Sequence, residues 1–296
     1  MGKVVVLPFD GADLVSVFKA LLDKENKNLV SNFRCRATAV QRAEAGIATV
    51  TVDDGQTLRP RCVIDCSGEG SVLQLAGVRV QTPDPANRQL AGFTFRLKGL
   101  KRADEMVSIH VPYYLRRAVE AGVFPAYVKY TVFMIGDNSE EGYCKISLPP
   151  DLPDRDQQAR LMARQILRHM ADTLPQFQQA WIAELAPAVL DREGIRLRGD
   201  YVLTADDVLQ GKAFPDGAVK NAWPIELWHP DRGPQYQYLA PGAFYEIPRR
   251  CLHSADVPNL FAAGRCISVT REALGSTRVI GPCLALGEDA AEMACQ

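Results

Sequence analysis

The chain has 296 residues, 47% of them hydrophobic, which is enough to bury a large core as one domain or two. Its 34 basic and 35 acidic residues leave a net charge of -1, so it offers no broad electrostatic footprint to nucleic acid or an anionic membrane. Its 8 cysteines show no paired C-x-x-C spacing and lie mostly in apolar runs, as reduced, buried thiols do, so neither a disulfide framework nor a metal centre is expected.

The N-terminus has a single lysine before Val4-Val5-Val6-Leu7, and Pro8 ends the run too early for a signal peptide. With no 18-residue apolar run anywhere, a cytoplasmic protein is expected. Residues 4–7 suit a short buried strand, and Phe9, Leu14, Val17, Phe18, Leu21 and Leu22 have the spacing of an amphipathic helix capped by Asp10 or Asp13. Strands follow at 32–40, 47–52 and 58–65, with turn chemistry at Ala45-Gly46 and Asp53-Asp54-Gly55. If 58–65 continues as a strand to Cys66, then Cys62 and Cys66 share a face about 13 Å apart, too far for a disulfide.

From Pro83 to Pro150 the alternation in Ala91 to Leu97 and Tyr127 to Ile135 predicts an antiparallel sheet, and with it a second domain. Residues 155–190 read as helical, with breaks at Pro175 and Pro187. Between Gly194 and Pro248, Tyr201, Phe214, Trp223, Trp228, Tyr236, Tyr238, Phe244 and Tyr245 are dense enough to line a pocket, though core packing is the commoner use of such rings.

Three segments carry chemistry. Val63-Ile64-Asp65-Cys66-Ser67-Gly68-Glu69-Gly70-Ser71 runs from a strand towards a helix and holds the first two glycines of a dinucleotide fingerprint, but Leu73 stands in the third place. A structural turn explains this segment equally well. In the stretch from Glu193 to Asp216, Thr204 followed by Asp207 suits a helix N-cap with a carboxylate in the first turn, and Tyr201 and Asp216 position the loop. At the C-terminus, Leu260 to Ala263 reads as a strand, Gly264 as a tight turn, and Gly275 to Gly281 as a loop entering a helix of small residues with Pro282 in its first turn. The N-terminus of such a helix presents unpaired N–H groups to a ligand.

In this order the three segments resemble the FAD-dependent oxidoreductase family. The resemblance implies FAD as cofactor, with Ser67 and Gly68 beside its adenosine half and Thr38-Ala39-Val40 along the adenine edge. It places Gly264, Arg265, Cys266 and Ser268 along the pyrophosphate and ribityl, and Thr277, Val279, Gly281, Pro282 and Cys283 under the flavin ring. Glu288-Asp289 departs from the small, uncharged continuation usual in the family.

Of the four histidines, at 110, 169, 229 and 253, His229 lies beside the aromatic segment, and a group that titrates near neutrality suits proton removal coupled to hydride transfer. His169 reads as structural, and Tyr245 and Arg278 are candidates to orient a polar substrate.

The family begins with a G-x-G-x-x-G unit for the FAD pyrophosphate, whereas residues 1–30 hold only Gly2 and Gly11. The expectation is therefore α/β: a partial Rossmann-like FAD-binding domain, residues 1–80 and 250–296, with an inserted mixed-sheet and helical substrate domain, 81–249. Its function is hydride abstraction from an alcohol, amine or sugar-like substrate to FAD, with the dinucleotide unit supplied by a second polypeptide. Truncation, or a silent scaffold subunit that has lost flavin binding, are the other readings.

Overall fold

Hydrophobic spacing and turn chemistry account for most of the elements in the computed structural model, which describes residues 11–25 and 28–296. The strand expected at 4–7, with Phe9 and Asp10, lies outside the described residues. Helix α1 (Gly11–Lys24) forms on the expected spacing but buries none of its residues, and Val15, Val17 and Leu21 are 51%, 55% and 54% exposed. Strands β1 (Ala37–Ala43), β2 (Gly46–Val52) and β3 (Thr57–Leu58) form an antiparallel sheet in that order, with β1 at one edge. The first strand thus begins at Ala37, not at 32. Strand β4 (Val63–Asp65), helix α2 (Ser71–Leu75) and strand β5 (Val80–Gln81) follow.

The next stretch contains β6 (Ala91–Lys98), α3 (Val107–Glu120), β7 (Val132–Ile135), β8 (Glu141–Leu148), α4 (Arg155–Thr173) and β9 (Trp181–Leu185). These strands form the expected antiparallel sheet, in the order β7-β8-β6-β9. Helix α3 is a correction. Its Val107, Val111, Leu115 and Ala118 are buried at helical spacing, but Pro112 inside the helix reads locally as a breaker. A second correction is β9, inside the stretch read as helical. The chain after Pro175 pairs with β6, and tertiary pairing overrides local propensity there.

The rest of the chain forms β10 (Arg196–Leu197), α5 (Ala205–Leu209), β11 (Gly217–Asn221), β12 (Ile225–His229), β13 (Gly233–Gln237), β14 (Tyr245–Pro248), β15 (Leu260–Ala262), α6 (Arg271–Thr277) and α7 (Ile280–Cys295). Arg271–Thr277 is helical where a loop was expected from Gly275. Thr270 caps it by accepting the Ala273 N–H at 3.3 Å, and only Arg278 and Val279 remain as linker.

The fold is mixed α/β and divides into two compact units, the first made of residues 1–82, 195–225 and 237–296, the second of 83–194 and 226–236. The sequence-based division had assigned all of 81–249 to one insert, whereas 195–225 and 237–249 join the first unit. The first unit buries Ile47, Val50, Leu73, Val78, Leu197, Val257, Leu260 and Ala262 together. In the second, Phe93, Phe95 and Leu97 of β6 with Ile146 and Leu148 of β8 face α3 and α4. Each such side chain contributes about 1.5–3 kcal/mol on leaving water.

Candidate functional site

Strands β4 and β15 lie parallel, Ile64 against Phe261, and Asp65 against Ala262. Ligands of parallel sheets gather at the carboxyl ends of the strands, because the turns there present backbone N–H groups and helix starts. Both carboxyl ends carry the motif residues. Asp65 is buried at the end of β4 and organises the first turn: it accepts the N–H groups of Ser67 at 2.9 Å, Val72 at 2.9 Å and Leu73 at 3.1 Å. It therefore caps α2, a role that its sequence pattern, an acid just before a small-residue turn and a helix, was sufficient to signal. The Ser67 hydroxyl lies in the same turn and accepts from Glu69 and Ser71.

Gly68 follows with φ +76°, and a Cβ there would lie 2.7 Å from the Arg265 Nη2. The positive φ favours glycine here, and the Arg265 guanidinium lies over this turn to reach Glu69, Nη2 to Oε1 at 2.6 Å. Gly264, with φ +65°, starts the matching turn after β15. Cys266 is buried behind it, 3.8 Å from Asp65 Oδ1, and burial first, then the Asp65 charge, pushes its thiol up to about 11. Burial likewise pushes Cys283, close to Gly264, up to about 11. Buried thiols were expected throughout, but Cys66 and Cys295 are exposed because they stand at the end of a short strand and of the last helix.

Helix α7 begins beside these turns. Val279 gives it no side-chain cap, and Ile280 and Gly281 are exposed, so the first N–H groups are open. A Cβ at Gly281 would meet nothing within 4 Å. The residue before the linker, Thr277, is buried, and its hydroxyl has no partner. These features fit a cofactor laid against the helix start: an orphaned donor, open N–H groups and space above Gly281. Pro282 and Cys283 complete the turn, and the Cys283 N–H already donates to Val279 O at 3.1 Å. The unexpected acid of α7 is neutralised. Asp289 is buried and accepts Arg249 Nη2 at 2.7 Å and Nε at 3.1 Å, so the charge is paired inside the unit.

Other site residues have structural partners. Ser268 is buried and accepts the Gly199 N–H at 3.0 Å. Thr38 and Ala39 are exposed on the edge strand β1, where the Thr38 hydroxyl donates to Thr51 O at 3.2 Å, and Val40 packs on the core. The capping box at α5 forms as expected, Thr204 Oγ1 accepting the Asp207 N–H and Asp207 Oδ2 accepting the Thr204 N–H at 2.9 Å. Asp207 also accepts from Lys212 at 2.7 Å and from Tyr201 at 2.9 Å. Burial alone would raise its carboxyl, but these hydrogen bonds outweigh burial and lower it. Asp216 accepts both Nε and Nη2 of Arg250, at 2.9 and 3.0 Å.

The residues considered for proton chemistry sit apart in the chain. Tyr245 is buried in the first unit, its hydroxyl 2.7 Å from Asn221 Nδ2 and 2.6 Å from Ser276 Oγ. Ser276 Oγ donates to Trp223 O, so the Tyr245 O–H donates to Ser276. Burial pushes this phenol up from its ordinary range. This network of Asn221, Trp223 and Ser276 was not legible from spacing, since its members meet only in the fold. Arg278 ends α6, half-buried.

His229 belongs to the second unit. Its Nδ1 accepts the backbone N–H groups of Asp231 at 3.1 Å and Arg232 at 3.3 Å. Beside it, Trp228 is buried under Lys145 Nζ and the Arg192 guanidinium, 4.5 and 4.3 Å from its ring, and donates to Glu226 at 2.6 Å. Among the described residues no group of three or more His, Cys, Asp or Glu side chains could hold a metal ion, and no helix is long and apolar enough to cross a membrane.

The profile of a family described as FAD dependent oxidoreductase matches residues 2–296. No curated protein matches the chain. Solved structures similar to it include iminodiacetate oxidase from Chelativorans sp. BNC1, 12% identical over 95% of this chain and 53% of that one, with a TM-score of 0.42. A probable FAD-dependent monooxygenase from Pseudomonas aeruginosa is 14% identical over 94% of this chain and 58% of that one, TM-score 0.35. A flavin-dependent halogenase from Brevundimonas sp. BAL3 is 14% identical over 93% and 39%, TM-score 0.35. The chain thus spans 39 to 58% of the length of these three.

Proposed function

The chain belongs to the FAD-dependent oxidoreductase family, and from that premise we propose that it holds the flavin and ribityl part of FAD in an enzyme that takes hydride from a C–H bond of an alcohol, amine or sugar-like substrate. The observation that carries this reading is the parallel pair β4 and β15, whose carboxyl ends both run into glycine turns beside the open start of α7. Bound FAD supplies the two-electron acceptor. Gly264 and Arg265 would hold the ribityl, and the open N–H groups of Ile280 and Gly281 would favour negative charge on the bound cofactor. Thr277 offers its hydroxyl as a further donor.

Residues 1–296 contain no G-x-G-x-x-G, and in this proposal a dinucleotide unit supplied by a second polypeptide holds the pyrophosphate. Flavin absorbance and fluorescence quenching test this, measured on the chain alone and on its complex with that polypeptide. The complex is expected to take up FAD and the chain alone to bind it weakly. A stable complex that takes up no added FAD overturns the enzyme reading and leaves the scaffold role.

A further inference from the structure

The stretch from Cys251 to Asn259 leads into β15 and folds back along it. The Ser254 N–H donates to Leu260 O at 3.0 Å and the Ala262 N–H to Leu252 O at 2.8 Å, so His253 stands directly opposite Phe261, their rings 5.2 Å apart. Asp200, His253, Pro258 and Phe261 all belong to the first unit.

Both ring nitrogens of His253 face oxygen. Nδ1 is 3.1 Å from Asp200 Oδ2, and Nε2 is 3.1 Å from Pro258 O. A backbone carbonyl can only accept, and so can an ionised carboxylate. The imidazolium has an N–H for each of them. A neutral ring has one N–H, and its other nitrogen turns a lone pair towards an oxygen. Among the described residues, Asp200 is the charged group that meets the ring. From β15 the ring meets Phe261, and from the loop before β15 the uncharged Pro258 carbonyl. The other charges of this stretch are paired elsewhere, Arg250 with Asp216 and Asp256 with Arg79.

Charge decides which bond survives loss of the proton. A hydrogen bond to a carboxylate is stronger than one to a neutral carbonyl, so the remaining hydrogen stays on Nδ1 and Pro258 is released. The next residue is fixed independently: Asn259 Oδ1 accepts the Ile47 N–H at 2.7 Å, its Nδ2 donates to Ile47 O at 3.0 Å, and Asn259 O accepts the Val63 N–H at 2.9 Å. Release at Pro258 therefore loosens the turn of residues 254–258 and leaves the pairing of β15 with β4 in place.

We propose that His253 is a pH-sensitive clamp on the turn that enters β15: its imidazolium ties Pro258 to Asp200, and loss of its proton frees Pro258 while Asp200 stays bonded. The clamp is complete at low pH and opens as pH rises.

Amide hydrogen exchange of the chain, resolved by residue at about pH 5 and about pH 8, tests this across the interval in which histidine changes charge. After correction for intrinsic rates, the Ser254 and Leu260 amides are expected to exchange roughly five- to tenfold faster at the higher pH, on the scale of one net hydrogen bond. The Val63 amide is expected to keep its rate. In His253→Gln the difference between the two pH values should vanish. Equal corrected rates in the wild type, or the same pH response in His253→Gln, overturn the proposal.

The ring itself gives a second readout. With only four histidines, His253 is assigned in long-range 1H–15N spectra by its loss in His253→Gln. Two protonated nitrogens are expected at about pH 5, and a hydrogen on Nδ1 with a bare Nε2 at about pH 8. A ring still neutral at the lower pH, or a neutral ring with its hydrogen on Nε2, overturns the clamp.

Discussion

Gly68 adopts φ +76° beneath the Arg265 guanidinium, so its replacement by alanine brings two costs together: a left-handed backbone for a residue with a Cβ, and a 2.7 Å approach to Nη2. Gly68→Ala is expected to lose about 1–2 kcal/mol of stability, read by urea unfolding, and to release Arg265 from Glu69. Unchanged unfolding would mean that the turn relaxes freely.

Asp207 gives a pH signature of known sign. Its carboxyl is lowered in the folded chain, so its contribution is present above the ordinary carboxylate range and is lost as pH falls through the depressed value. Asp207→Asn removes the capping box and the Lys212 partner, and is expected to cost about 1–2 kcal/mol near pH 7. The gap in melting temperature between wild type and variant should close towards pH 3. A gap that stays constant with pH would show that ionisation is not the source.

At the scale of elements, α1 and β6 each carry an amphipathic pattern, helical in one and alternating in the other, and meet opposite fates. Phe95 of β6 is buried, and Phe95→Ala is expected to cost about 3–5 kcal/mol. Leu21 of α1 is 54% exposed, and Leu21→Lys is expected to change stability by less than about 0.5 kcal/mol while improving solubility. Denaturant curves of the two variants separate them; a large loss in Leu21→Lys would place α1 against a core.

This contrast also shows what the sequence made legible. Periodicity located α1 and the antiparallel sheet, and residue chemistry located the Gly264 turn and the Thr204–Asp207 cap. It failed where a local signal was overruled: Pro112 hid α3, and pairing to β6 made a strand of Trp181–Leu185. In the candidate site the glycines were readable because backbone geometry demands them. The Asn221–Tyr245–Ser276 network and the acceptor state of His229 Nδ1 were not, because they depend on atoms brought together by folding.

For the whole molecule, the two units have separate cores, so each is expected to respond to its own substitutions. Trp228 allows this to be seen. It is buried in the second unit beneath Lys145 and Arg192, whereas Trp181 is 54% exposed and Trp223 belongs to the first unit. An indole enclosed by two cations and hydrogen-bonded to a carboxylate has an emission colour set by local fields as well as by dryness. The three tryptophans therefore form a built-in optical gauge. Replacing Trp181 and Trp223 by phenylalanine leaves a single lamp inside one unit, whose colour reports that unit's loosening without any dye.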